Sequence, residues 1–74
     1  MTSLIDASVG ITAQLARIGG ERSFRRRLME MGSLPGTPVR VVRRATTEGL
    51  VVVECRGCQI TLRSTEAKAL FLNG

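Results

Sequence analysis

The clearest periodic pattern along the chain is an apolar stripe that begins at Phe24. Phe24, Leu28 and Met31 recur at i, i+4 and i+7, the spacing that places side chains on one face of a helix. Ser23 before them is a good N-cap residue, and Gly32 after them easily adopts the left-handed conformation of a helix end. The pattern predicts a short helix between Ser23 and Gly32.

A tight turn and a strand are expected directly after this helix. In residues 34–37, Pro35 and Gly36 occupy the second and third positions of a type II turn, where Pro fixes a negative φ and Gly accepts a positive one. Pro38 can only open a strand or lie at its edge. A strand is therefore expected over residues 39–44, followed by a polar loop over residues 43–49.

Before the helix, residues 11–18 predict a first strand with one irregularity. Ala13 and Leu15 share a face of this strand, but Ile18 falls on the opposite face. A β-bulge near Ala16 or Arg17 would bring the three apolar residues together, because a bulge inserts one extra residue into a strand.

The second half of the chain predicts a β-hairpin. Residues 50–54 and 59–63 have strand patterns, which leaves Arg56 and Gly57 as a two-residue loop. This loop places one set of side chains on the inner face: Val51, Val53, Cys55, Cys58, Ile60 and Leu62. A type I′ loop requires a positive φ at Arg56, so a three-residue loop with Gly57 in a bulge is the alternative.

The end of the chain predicts a capped helical turn over residues 64–67 and a returning strand over residues 68–72. Leu70 and Leu72 would face inward and Phe71 outward. The complete order is five strands, with one short helix between the first and second strands and a short helical turn before the last.

Composition favours a small, mainly β domain of the α+β type. A chain of 74 residues that is 43% hydrophobic holds one core, so residues 1–74 are expected to form a single domain. Eight glycines and many β-branched residues suit short strands and tight turns, and we expect a small, partly open barrel. No apolar run approaches the roughly 20 residues of a membrane span, and residues 1–9 lack the features of a signal peptide. These patterns predict a cytoplasmic protein.

Three groups of residues resemble a known family. They are Gly10 with Ala13, Leu15 and Ile18; residues 25–42, RRRLMEMGSLPGTPVRVV; and residues 56–67, RGCQITLRSTEA, followed by Leu70. In these residues the chain resembles ferrous iron transport protein A, the FeoA family, whose members are small cytoplasmic domains with an SH3-like barrel. Ser33 and Cys58 depart from the family, which usually has a bulky apolar residue at the first position and often an aromatic or aliphatic one at the second.

The resemblance implies an accessory or regulatory protein of bacterial ferrous iron uptake. Such a protein would bind the cytoplasmic part of the GTPase-coupled ferrous permease, FeoB, and would lie at the inner membrane through that permease. The sequence has no histidine, no nucleophile elbow and no glycine-rich phosphate loop, so we expect no enzymatic activity.

Cys55 and Cys58 have the only spacing in the sequence that is typical of a metal site. Two thiolates are too few for a tetrahedral Zn²⁺ or Fe²⁺ site, so Glu54, water or a second molecule would have to complete it. Alternatively, both cysteines are reduced and fill the core as small apolar residues. We expect no cofactor, and a transition-metal-binding module is the second functional hypothesis.

The formal charge of +5 and a cluster of arginines point to an anionic partner. Arg25, Arg26 and Arg27 follow Arg22 at the start of the predicted helix, where the helix dipole disfavours positive charge. They form either a solvated face, with Arg26 and Arg27 paired to Glu30, or a contact for an acidic partner. A basic nucleic-acid-binding barrel is the third hypothesis, without sequence specificity, because the chain has few aromatic residues that could stack on bases.

Apolar residues near the arginines complete the expected docking surface. Met29, Leu34 and Pro35 remain near the surface after the helix and turn are assigned, and Phe71 faces outward. Met29 and Leu34 have a second interpretation, in which they cover the end of the barrel. The expected partner-binding residues are Arg25, Arg26, Met29, Leu34, Pro35 and Phe71.

Overall fold

A computed structural model describes residues 1–45 and 47–73 of the chain. Within these residues, six strands form one sheet in which all paired neighbours run antiparallel, in the order β1-β6-β2-β3-β4-β5. The elements are β1 Thr2–Ser3, β2 Thr12–Ile18, α1 Arg22–Glu30, β3 Pro38–Ala45, β4 Leu50–Cys55, β5 Cys58–Arg63, α2 Ser64–Ala67 and β6 Leu70–Asn73, with a 3₁₀ turn at Leu4–Asp6. None of the helices in these two ranges is long and apolar enough to span a membrane.

The prediction of five strands was wrong because β1 was missed. Two residues are too few to show an alternating pattern, and β1 is defined only by its pairing with β6, Thr2 with Leu72 and Ser3 with Phe71. The helix α1 therefore lies between the second and third strands instead of the first and second. The mainly β character and the helical turn before the last strand are confirmed.

Helix α1 begins before the predicted cap. Its N-cap residue is Glu21, which has an extended backbone and no side-chain capping bond. Ser23 therefore lies inside the first turn, and its assignment as N-cap was wrong. The first helical hydrogen bond, from the Arg25 N–H to the Glu21 carbonyl oxygen, spans 3.0 Å.

The end of α1 is a Schellman motif built around Gly32. Gly32 has φ of +86°, and its N–H donates to the Met29 carbonyl oxygen, while the Ser33 N–H donates to the Leu28 carbonyl oxygen. This confirms the predicted stop at Gly32. Met31 is already at the C-cap, where helical periodicity no longer holds, so it is 44% exposed instead of buried beside Leu28.

Replacing Gly32 with alanine is expected to reduce the free energy of unfolding by about 1–2 kcal/mol, because an L-residue is strained at positive φ. A Cβ atom there would also lie 2.9 Å from Cδ of Arg56. Urea denaturation of Gly32→Ala, Arg56→Ala and the double variant separates the two causes. In the double variant, Arg56→Ala should relieve the contact with the new Cβ atom, so that only the backbone strain at position 32 remains. A Gly32→Ala protein as stable as wild type would contradict this account.

The turn after α1 and the start of β3 agree with the prediction. The Thr37 N–H donates to the Leu34 carbonyl oxygen at 3.0 Å, and Gly36 has φ of +94°. Strand β3 opens at Pro38 as expected. It also extends to Ala45, because its last residues pair with β4, so the first part of the predicted polar loop is strand. Thr46 of that loop lies outside the described residues.

The expected bulge in β2 is present at Ala16. Leu15 pairs with Leu72 and Arg17 with Phe71, so Ala16 has no partner on β6. Ala16 and Arg17 therefore both point to the outer face, and the alternation resumes with Ile18, which pairs with Leu70.

The hairpin between β4 and β5 has the two-residue loop. Cys55 pairs directly with Cys58, and Arg56 and Gly57 have φ of +55° and +79°, so the three-residue alternative was wrong. The predicted inner face is buried except at Cys58, which is exposed. Cys58 is the first residue of β5, beside the loop, and β5 is an edge strand of the sheet in the described residues.

The core is formed by the inner faces of the strands together with side chains of the 3₁₀ turn, α1 and α2. Helix α2 has the expected position, and a Glu66 carboxylate oxygen accepts a hydrogen bond of 2.9 Å from the Arg63 N–H before it. Leu70 and Leu72 of β6 are buried, as predicted for inward-facing residues, and Phe71, which was predicted to face outward, is half-buried between them. The largest fully buried side chains are Leu4, Leu15, Leu28, Leu62, Val41 and Val51.

Candidate docking groove

Helix α1, the end of β2 and the turn at Pro35 enclose an open groove of about 680 Å³, here called the arginine groove. Its lining residues are Ala16, Arg17, Ile18, Arg22, Arg25, Arg26, Met29 and Pro35. The structure thus brings together four of the six residues expected at the docking surface: Arg25, Arg26, Met29 and Pro35. Their role as partner-binding residues stays a prediction.

Leu34 and Phe71, the other two expected residues, do not line the groove. Leu34 is 46% exposed at the first position of the turn. Phe71 is half-buried in β6 and pairs with Arg17 of β2, so both side chains lie on the same face of the sheet. Phe71 is therefore a neighbour of the groove wall and is absent from the lining.

The structure adds four residues to the groove that were not among the expected partner-binding residues. Arg22 belongs to α1, and Ala16, Arg17 and Ile18 belong to the bulged end of β2. The signal was present in the sequence, because the reversed parity of Ile18 indicated a bulge. The additional step is that a bulge redirects the side chain that follows it, here Arg17.

The arginines of the groove differ from Arg27 in their pairing. Arg27 forms a salt bridge of 3.1 Å with Glu66 of α2, and its guanidinium carbon lies 5.7 Å from the centroid of the Phe24 ring. The pairing of Arg26 and Arg27 with Glu30, one of the two alternatives, is not formed among the described residues: Arg27 pairs with Glu66, and Arg26 has no ion pair. Within residues 1–45 and 47–73, no guanidinium that lines the groove has a hydrogen bond or ion pair.

Hydrogen bonds hold the turn against β2 beside the bulge. The Gly36 N–H donates to the Leu15 carbonyl oxygen at 2.6 Å, and the Leu15 N–H donates to the Thr37 carbonyl oxygen at 2.8 Å. At the far end of β2, the Gly19 N–H donates to the Ala69 carbonyl oxygen at 2.7 Å. The walls of the groove are thus held in place without a partner, which lowers the entropy lost on binding.

The two cysteines have different environments at the end of the hairpin. Cys55 is 2% exposed, and its sulfur accepts a hydrogen bond of 3.3 Å from the hydroxyl of Ser33, whereas Cys58 is exposed. Glu54, a possible third ligand, forms a salt bridge of 3.4 Å with Arg40. Across the two described ranges, no group of three or more His, Cys, Asp or Glu residues could hold a metal ion.

Comparison with known proteins identifies the family. The sequence profile of the FeoA domain matches residues 2–73. The chain belongs to the FeoA family. Membership of this family implies a role in ferrous iron transport. No curated protein sequence matches the chain.

Solved structures of FeoA proteins have the same SH3-like fold. The solution structure of the FeoA protein from Chlorobium tepidum is 30% identical, has a TM-score of 0.90, and is aligned over 96% of this chain and 68% of its own. The FeoA-like protein from Clostridium acetobutylicum is 25% identical, with a TM-score of 0.81 over 97% of this chain and 84% of its own. A manganese-dependent transcriptional repressor has the fold too, with 24% identity and a TM-score of 0.86, but the match covers 95% of this chain and only 39% of the repressor.

Ser33 shows how a polar residue is accommodated in the interior beside the end of α1. Ser33 is the second residue after the C-cap of the Schellman motif, a position that often makes an apolar contact with the last turn of the helix. It is 4% exposed, and its hydroxyl is satisfied by the sulfur of Cys55. The buried polar group and the buried thiol are therefore one paired unit.

This pairing predicts unequal effects for the two cysteines. Cys55→Ala is expected to lower the free energy of unfolding by about 1–3 kcal/mol, because it leaves the buried Ser33 hydroxyl without a partner. Cys58→Ala should change it by no more than about 0.5 kcal/mol, because Cys58 is exposed. Urea denaturation measures both, and metal analysis should find equal metal content in wild type and in the double variant. Stoichiometric zinc or iron in the wild type that is lost in the protein carrying both Cys55→Ala and Cys58→Ala would contradict this account and indicate a metal site.

Proposed function

We propose that this FeoA-family protein is an accessory factor of bacterial ferrous iron uptake that docks on the cytoplasmic region of the GTPase-coupled ferrous permease, FeoB. The observation that supports the proposal is the arginine groove, in which Arg25, Arg26, Met29 and Pro35 combine positive charge with apolar surface. Arginine gives bidentate hydrogen bonds to carboxylates, and buried apolar contacts supply affinity at the centre of an interface.

The proposed role is regulatory and not catalytic. Bound FeoA protein would favour one state of the GTPase domain or of the permease, which requires that it bind that state more tightly than the other. The protein would act without a metal of its own and would lie in the cytoplasm, at the inner membrane whenever it is bound to the permease.

A calorimetric titration of the purified cytoplasmic region of FeoB with the wild-type protein, which measures affinity and stoichiometry, tests the proposal. Saturable binding with a defined stoichiometry is expected, together with a change in the rate of GTP hydrolysis or of iron uptake by the intact permease. Absence of binding to both the isolated region and the intact permease would contradict it.

A further inference from the structure

The bulge in β2 gives the arginine groove a second wall of positive charge. In an unbroken alternation, Arg17 would follow Ala13 and Leu15 toward the core. Because Ala16 is the extra residue, Arg17 is instead on the outer face, and it lines the groove together with arginines of α1. Charge thus comes from two separate elements, and α1 alone does not account for it.

The groove has an excess of positive charge and no carboxylate in its lining. Its four arginines are exposed: Arg17, Arg22, Arg25 and Arg26. Holding like charges together costs free energy in the absence of a counter-charge. An anionic group in the groove would remove this cost and could contact guanidinium groups of both walls.

The remaining lining is apolar, and this selects among anionic partners. The other four lining residues are Ala16, Ile18, Met29 and Pro35. From this combination we infer that the groove binds an acidic peptide segment that includes an apolar residue, with carboxylates on Arg17 and on Arg25 or Arg26. The inference rests on the proposed function, since the segment is expected in the cytoplasmic region of FeoB.

Two other anionic partners fit the groove less well. Single-stranded nucleic acid binds through aromatic side chains that stack on bases, but Phe24 is 8% exposed in the core and Phe71 is absent from the lining. A membrane surface is wide and nearly flat compared with the groove, so its headgroups would reach the arginines while the concave apolar lining stayed empty. A peptide chain can satisfy both parts of the groove at once.

The test uses a short fluorescein-labelled peptide that alternates aspartate with leucine, the same peptide with asparagine for every aspartate, and peptides that tile the cytoplasmic region of FeoB. By fluorescence anisotropy, the aspartate peptide should bind at least about tenfold more tightly than the asparagine peptide, and an acidic tile should bind best. Arg17→Glu should lower its affinity at least about tenfold, whereas Arg43→Glu, an exposed reversal on β3 outside the groove, should change it no more than about twofold. Arg17→Lys, which keeps the charge but loses the bidentate geometry, should have an intermediate effect.

Equal binding of the aspartate and asparagine peptides, or equal effects of Arg17→Glu and Arg43→Glu, would overturn the inference. Tighter binding of phosphatidylglycerol vesicles or of a single-stranded oligonucleotide, with the same dependence on Arg17, would also overturn it. If intact FeoB region binds but no acidic peptide does, the inference fails and the proposed function stands. If the aspartate peptide binds and the intact region does not, the acidic chemistry of the groove stands and the proposed function fails.

Discussion

Charge reversal of both Arg25 and Arg26 is expected to lower the affinity for the cytoplasmic region of FeoB at least about a hundredfold. Anchor residues of an interface each contribute on the order of 1–2 kcal/mol or more, and 1.4 kcal/mol corresponds to a factor of ten. The free energy of unfolding should stay equal or rise slightly, because both side chains are exposed and glutamate early in a helix is favoured by the dipole. Calorimetric titration and urea denaturation of the same preparation measure the two effects.

The matched control is the double variant Arg43→Glu with Lys68→Glu. Both residues are exposed and neither lines the groove. Each double variant has a net charge of +1, down from +5 in the wild type, because every exchange removes two units. If both double variants lose affinity equally, the long-range charge of the protein and not the groove determines binding.

Leu28→Ala is expected to have the largest effect on stability. Leu28 is 1% exposed and belongs to the hydrophobic core cluster, and truncation of such a side chain costs about 2–5 kcal/mol. The total free energy of unfolding of a domain of this size is about 4–11 kcal/mol, so the variant should be partly unfolded or easily unfolded by urea.

Met31→Ala is the control on the same apolar stripe of the sequence. Met31 is 44% exposed, so its truncation should cost no more than about 0.5 kcal/mol. Similar losses in the free energy of unfolding for Leu28→Ala and Met31→Ala would contradict the observed end of the helix. They would favour the sequence pattern in which Met31 is buried on the same helix face as Leu28.

The turns of the fold and the end of helix α1 were predictable, because they depend on the local backbone conformation. Gly32, Gly36 and Arg56 all have the positive φ that the predicted helix end, turn and two-residue loop require. The bulge in β2 was also predictable, since Leu15 and Ile18 differ in parity and one extra residue between them brings both to the inner face.

Features that depend on tertiary contacts were not predictable from local patterns. Strand β1 exists only through its pairing with β6, and the exposure of Cys58 depends on the position of β5 at the edge of the sheet. The partner of Arg27 is Glu66, 39 residues along the chain, so a search for i, i+3 and i, i+4 partners could only propose Glu30.

The candidate site was predicted only in part, because some of its residues depend on local patterns and others on tertiary contacts. The residues of α1 and the turn were found because helix faces and turns can be assigned locally. Arg17 was missed, because its place in the groove follows from two facts combined: the bulge turns it outward, and the turn at Pro35 is hydrogen-bonded to β2 beside it. Leu34 is exposed as expected and Phe71 is half-buried, but both lie outside the lining.

The central claim, that the arginine groove is the docking surface, is tested most directly by NMR. The protein is small enough, at 8.0 kDa, for its backbone amide signals to be followed during titration with the unlabelled cytoplasmic region of FeoB. The account predicts that the first shifts and broadening appear at Ala16 to Ile18, along one face of α1, and at the turn after Pro35. Changes confined to the β4–β5 hairpin or to exposed Val9 and Ile11, with the groove unaffected, would contradict it.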